Sequence, residues 1–224
     1  GIDGSKILVG VNGGRNAGTY AVNTYSNQQG YDFTPTSGKL TINKANLTIS
    51  STDGSKTYDG TTSVSGVNAV AASGTQLFGT DTLTGGSFAF ADKNAGTGKH
   101  VVVSGVTVND GNNGGNYNVT YADNTTSTIN KASLSISATD ANKVYDGTTT
   151  AKSTAVIVGG NLIGSDSLNG ATFNYDDKNA GSGKHVIVSN ALINDGNNGG
   201  NYDVTYVDNT NSSISKRQLT ISAV

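Results

Sequence analysis

The chain has 224 residues, a formal net charge of −2, and no Cys, Met or Trp. Gly, Thr, Asn and Ser fill 111 positions and every acidic residue is Asp, so the usual exposed helix formers are scarce and an α fold is excluded. The same composition removes disulfide scaffolds, thiolate zinc sites and Cys nucleophiles, gives no basic footprint for nucleic acid, and contains no apolar run long enough to cross a membrane.

In chain order the sequence repeats itself. Lys44-Ala-Asn-Leu-Thr-Ile49 recurs as Lys131-Ala-Ser-Leu-Ser-Ile136 and as Lys216-Arg-Gln-Leu-Thr-Ile221. Lys56-Thr-Tyr-Asp-Gly-Thr-Thr62 matches Lys143-Val-Tyr-Asp-Gly-Thr-Thr149, and Asp92-Lys-Asn-Ala-Gly-Thr-Gly-Lys-His100 matches Asp177-Lys-Asn-Ala-Gly-Ser-Gly-Lys-His185. Asn109-Asp-Gly-Asn-Asn-Gly-Gly-Asn-Tyr117 returns unchanged at 194–202. The organisation expected is therefore a preceding, divergent repeat's C-terminal part at 1–43, one repeat at 44–130, a second at 131–215, and the first strand of a third at 216–224. Arg15-Asn-Ala-Gly18 carries the motif into the first segment.

Within a repeat the apolar period is two, the mark of strands with one buried face. Leu47 and Ile49 alternate with Thr48, and Tyr117, Val119 and Tyr121 alternate with Asn118 and Thr120. In Val101–Val108 the parity switches after Ser104-Gly105, as it does between Val188 and Ala191, which predicts a bulge or a strand changing sheets. Asp-Gly, Asn-Ala-Gly and Asp-Gly-Asn-Asn-Gly-Gly mark turns between the runs. Six or seven short strands per repeat predict an all-β fold of tandem small β-sandwiches, immunoglobulin-like, in an extended array. A β-grasp alternative would need a helix, for which only Val67–Gln76 is available. Thr128–Ile136 joins the repeats without a flexible linker, predicting a stiff junction.

Together these motifs resemble the YDG-type repeats of large secreted bacterial adhesins of the filamentous-haemagglutinin-like class, with a related bacterial immunoglobulin-like repeat in part at the N-terminus. The resemblance implies a secreted or cell-surface, extracellular protein serving adhesion or biofilm formation. On that basis the segment is expected to be a non-catalytic stalk, not an enzyme, monomeric as a fragment, with neighbouring repeats of its own chain as partners. The competing expectation is that the repeats themselves bind polysaccharide or host glycan. Neither nucleic acid nor membrane insertion is expected.

Tyr58-Asp59-Gly60 and Tyr145-Asp146-Gly147 read as structural motifs, a buried ring followed by a tight turn with Gly at positive φ. Asp110 and Asp195 lie in oxygen-rich loops that suit Ca²⁺, although the spacing fits no standard calcium loop and a hairpin closed by Asx-turns explains the same residues. No cofactor is expected otherwise. His100 and His185 are expected to be exposed at strand starts. Lys56 and Lys143, with Asn116 and Asn201, are formal candidates for a Lys–Asn isopeptide bond, against the simpler reading of surface lysines.

Overall fold

A computed structural model describes residues 3–11 and 14–223. Among these the fold is all-β, built of several small sheets, with a single 3₁₀ turn at Gly4–Lys6 as its helical element. The strands of the first segment are β1 (Ile7–Val11), β2 (Gly18–Ser26) and β3 (Gly38–Ile42). The first repeat supplies β4 (Ala45–Ser51), β5 (Ser55–Thr57), β6 (Ala69–Ala71), β7 (Thr82–Phe90), β8 (Gly96–Asn109), β9 (Tyr117–Tyr121) and β10 (Asn124–Asn130). The second supplies β11 (Ala132–Ala138), β12 (Asn142–Val144), β13 (Ala155–Gly159), β14 (Ser167–Leu168), β15 (Thr172–Tyr175), β16 (Gly181–Ser189), β17 (Ile193–Asn194), β18 (Tyr202–Tyr206) and β19 (Asn209–Ser215).

The chain forms two compact units, and the division runs through the first repeat. One unit holds 1–52, 66–89 and 101–124; the other holds 53–65, 90–100 and 125–224. In the first unit, β1, β2 and β3 form an antiparallel meander, and β4 lies between β6 and β9. Its core gathers Leu47, Ile49, Val103, Val106, Val108 and Tyr117, with Leu83 and Phe88 packed against them. In the second unit, β11 lies between β13 and β18, while β12, β19, β16 and β15 form a second sheet in that order. Leu134, Ile136, Val186, Val188 and Ile214 are the buried side chains of these strands.

A shared device organises both repeats. The opening strand pairs in parallel with a strand about 70 residues later, β4 with β9 and β11 with β18. Alternation puts Leu47 and Ile49, or Leu134 and Ile136, on the buried face, where about 25 cal/mol per Å² of apolar area favours the sheet. On the opposite face the hydroxyls of Thr48 and Thr120 meet at 3.0 Å, and those of Ser135 and Thr205 at 2.8 Å, as cross-strand polar pairs.

The parity switch has a backbone cause. Gly105 (φ +65°) and Asn190 (φ +50°) adopt the left-handed region, which inserts one residue and turns the following side chains over. Consequently Val101 and Val103, then Val106 and Val108, are all buried along one uninterrupted β8. In the second repeat the strand breaks there, between β16 and β17.

Several expectations need correction. Val67–Gln76 contains β6 and no helix, so the β-grasp alternative loses its one candidate. No strand forms over 216–223, and Leu219 and Ile221 are exposed, because they have no parallel partner of the β9 or β18 kind. His100 and His185 are exposed but lie within β8 and β16, four residues after each strand begins. Tyr121 and Tyr206, expected on the buried phase, are exposed; their hydroxyls accept the N–H of Val106 and Ala191 instead of entering a core.

Candidate functional site

The residues that recur most faithfully build one site, seen complete in the second unit. Its base is the loop 195–201. Asp195 is buried, and its carboxylate accepts the backbone N–H groups of Asn197 (2.7 Å), Gly199 (2.8 Å) and Asn201 (3.0 Å). Burial pushes its pKa up, but these bonds outweigh that and hold the carboxyl below its ordinary value. The loop can wrap so tightly because Gly199 takes φ +76° and a Cβ on Gly200 would stand 2.8 Å from the Asn197 carbonyl oxygen.

Asn201, which is 0% exposed, is what the loop presents. Its Oδ1 accepts the Ala95 N–H at 2.8 Å and the Asn197 side-chain amide at 3.0 Å, while its Nδ2 donates to Asn94 Oδ1 at 3.2 Å. Its backbone carbonyl accepts from Ala132 N. Thus a buried amide from the second repeat is satisfied by the Asn-Ala-Gly loop of the first, which removes the desolvation cost of burying it.

A tyrosine seat lies beside this amide seat. Tyr58 of the first repeat is 2% exposed; its ring meets Tyr202 edge-on, with centroids 5.6 Å apart and planes at 76°. The hydroxyls of Tyr58 (3.0 Å) and Tyr202 (2.6 Å) both donate to Asp166 Oδ2, and Tyr202 accepts from Ile163 N. Burial, then the Asp166 carboxylate, pushes the Tyr58 phenol up to about 12, and the same causes raise Tyr202. Gly60 takes φ +76°, and a Cβ there would approach Ile163 Cγ2 to 3.1 Å, so the turn is fitted to the second repeat as well as to itself.

The first unit repeats the amide seat. Asp110 accepts from Asn112, Gly114 and Asn116 N–H groups, and these bonds outweigh burial to lower its pKa. Asn116 Oδ1 accepts Ala17 N–H at 2.7 Å, and its Nδ2 donates to Asn16 Oδ1 at 3.2 Å. Two joints about one repeat apart therefore use the same residues with the same geometry.

A family model described as the YDG domain matches residues 43–127 and again 130–211. The chain belongs to the YDG domain family. No curated protein and no solved structure matches it.

In these YDG repeats the Tyr-Asp-Gly turn has an internal and an external half. Internally, Lys56 Nζ bonds Asp59 Oδ1 at 2.7 Å and the Thr61 carbonyl at 2.7 Å; Lys143 bonds Asp146 Oδ1 at 2.9 Å and the Thr148 carbonyl at 2.8 Å. The Lys56 and Lys143 ammonium groups lie 5.6 Å and 5.3 Å from the ring centroids of Phe90 and Tyr175. Lys143 hydrogen bonding, with the Thr148 N–H, holds the Asp146 carboxyl below the usual carboxylate range. Both lysines thus brace the turn, and Asn116 and Asn201, the formal isopeptide partners, are committed to the amide seats.

The aspartates considered for calcium are likewise used as turn acceptors. Every carboxylate oxygen of Asp110 and Asp195 faces backbone N–H groups. Among the described residues no group of three or more His, Cys, Asp or Glu gathers to hold a metal. What sequence reasoning missed is the pairing itself, Asn-Ala with Asn116 or Asn201 and Tyr58 with Asp166. The available signal was that Arg15-Asn-Ala-Gly18 survives in a segment otherwise too divergent to align.

Proposed function

We propose that these YDG domains are non-catalytic structural repeats of a bacterial surface or secreted adhesin, each a small immunoglobulin-like sandwich within a stalk that carries an adhesive region and supports adhesion or biofilm formation. The observation that carries this reading is the recurring joint, in which the motif residues of one repeat are spent on holding the next. A stalk needs joints that resist bending, and a buried, fully hydrogen-bonded amide together with a seated tyrosine resists it far better than a Gly/Ser tether. Polar, near-neutral surfaces and the absence of Cys suit a long chain exported unfolded. The stretches 44–130 and 131–215 are the repeating elements in this reading, with 1–43 and 216–224 belonging to flanking ones.

One observation favours the alternative that the segment binds polysaccharide or host glycan. Tyr31 and Phe33 are exposed beside Gln28 and Asp32 around a small cavity of about 100 Å³, an aromatic surface with polar neighbours of the kind sugars use. A screen of the whole chain against glycans and matrix polysaccharides, with and without Ca²⁺, separates the two. The stalk reading expects no ligand; reproducible binding abolished by Tyr31→Ala would replace it.

A further inference from the structure

The tyrosine seat occurs twice and is filled once. In the second unit Asp166 accepts two tyrosine hydroxyls, one from its own repeat and one from Tyr58. The corresponding group in the first unit is Asp81, which accepts only Tyr117 at 2.6 Å, while Tyr117 accepts from Phe78 N at 2.9 Å as Tyr202 does from Ile163 N. Where Tyr58 would stand there is a cavity of about 670 Å³, lined by Phe78, Asp81, Asp110, Asn116 and Tyr117 among others. That volume lies in the range of side-chain and small-ligand sites. Phe78 is 52% exposed and stacks on Tyr117 with centroids 6.4 Å apart and planes at 22°. An exposed phenylalanine over a buried tyrosine, beside a carboxylate with one phenol partner, offers the surfaces that Tyr58 meets elsewhere.

The chain also carries an unengaged plug. Tyr145 is 37% exposed, and Asn179 and Ala180, the counterparts of Asn94 and Ala95, are exposed too. We propose that the cavity bounded by Phe78, Asp81 and Tyr117 is a socket for a Tyr-Asp-Gly turn, and that a second copy of this chain fills it with Tyr145. The inference rests on the reading of the recurring motifs as joints and extends it from within a chain to between chains. The incoming phenol donates to Asp81 and sets its ring edge against Tyr117. The incoming Asn179–Ala180 loop competes with Asn16 and Ala17 for the Asn116 amide, which keeps the association weak and reversible.

The test is sedimentation equilibrium of the full chain up to millimolar concentration. Wild type is expected to associate head to tail. Tyr145→Ala keeps the socket and loses the plug; Asp81→Ala does the reverse, and each alone is expected to weaken association about ten-fold or more through loss of a hydrogen bond to a charged acceptor. Mixed in equal amounts, the two variants restore pairing, because one supplies the plug and the other the socket. Asp81→Asn, which keeps an acceptor for Tyr117, serves where Asp81→Ala melts early. A monomeric wild type, association that persists in either single variant, or a mixture that fails to pair overturns the proposal. If that happens while Tyr58→Phe still destabilises the chain, the joint reading stands and only its intermolecular extension falls.

Discussion

Tyr58 and Tyr145 stand in the same turn of successive repeats, and the lysines beside them make the same bonds to Asp59 and Asp146. Yet Tyr58 is 2% exposed and Tyr145 37%. The difference cannot come from the turn or from the repeat's own core, since those are shared. It comes from the second repeat, which supplies Tyr202, Asp166 and Ile163 to the first of the two tyrosines alone. A motif that reads as local architecture is therefore half local and half addressed to a neighbour.

The largest expected effect comes from breaking the addressed half at its buried amide. Asn201→Ala leaves Ala95 N–H, Asn94 Oδ1 and the Asn197 amide without their partner, and at about 1–3 kcal/mol for each buried group left unsatisfied the loss is expected to reach about 3 kcal/mol in urea denaturation. A cost under about 0.5 kcal/mol, the level of an ordinary surface change, would remove Asn201 from the joint.

Next is the tyrosine pair itself. Tyr58→Phe keeps the ring and deletes one hydrogen bond to a carboxylate, an expected loss of about 2 kcal/mol. Tyr145→Phe is expected to change stability by less than about 0.5 kcal/mol. Equal effects at the two positions would break the comparison.

The same contrast has a pH signature. In the folded chain the Tyr58 phenol is held up to about 12 against an ordinary value of 10.0, so its protonated form is favoured by folding. That stabilisation is complete below pH 10 and is lost as the pH rises to about 12. Alkaline unfolding curves are expected to fall through that window in wild type and more shallowly in Tyr58→Phe. On the acid side Asp195 has the opposite sign: its folded pKa is lowered, so its contribution is present above the ordinary carboxylate value of about 4 and is lost as pH falls below it.

The smallest effects concern the internal half. Lys56→Met and Lys143→Met remove equivalent, partly exposed ion pairs and ring contacts, so both are expected to cost about 1 kcal/mol or less and to cost the same. A marked inequality would show that the lysines, too, belong to the joint.

Much of this molecule was legible from its residues. Alternation marked the strands around Leu47 and Leu134, Asp-Gly marked the turns, and the parity change at Gly105 and Asn190 announced the inserted residue. Each is a local signal, carried by neighbours in sequence. The joint was not legible because its partners are 99 to 108 residues apart, and nothing local tells an Asn that closes a loop from one that also reaches another repeat. Tyr121 and Tyr206 misled for a related reason. Their spacing follows Tyr117 and Tyr202, but only the latter pair lies under a neighbour's loop or a core, so periodicity predicted burial that packing did not supply.

The most direct test of the joint is a double-mutant cycle between Tyr58→Phe and Asp166→Ala, read by urea denaturation of the full chain. The account predicts a coupling of about 1 kcal/mol or more between these residues of different repeats, and none in the parallel cycle of Tyr145→Phe with Asp166→Ala. Strictly additive effects of Tyr58→Phe and Asp166→Ala would contradict it.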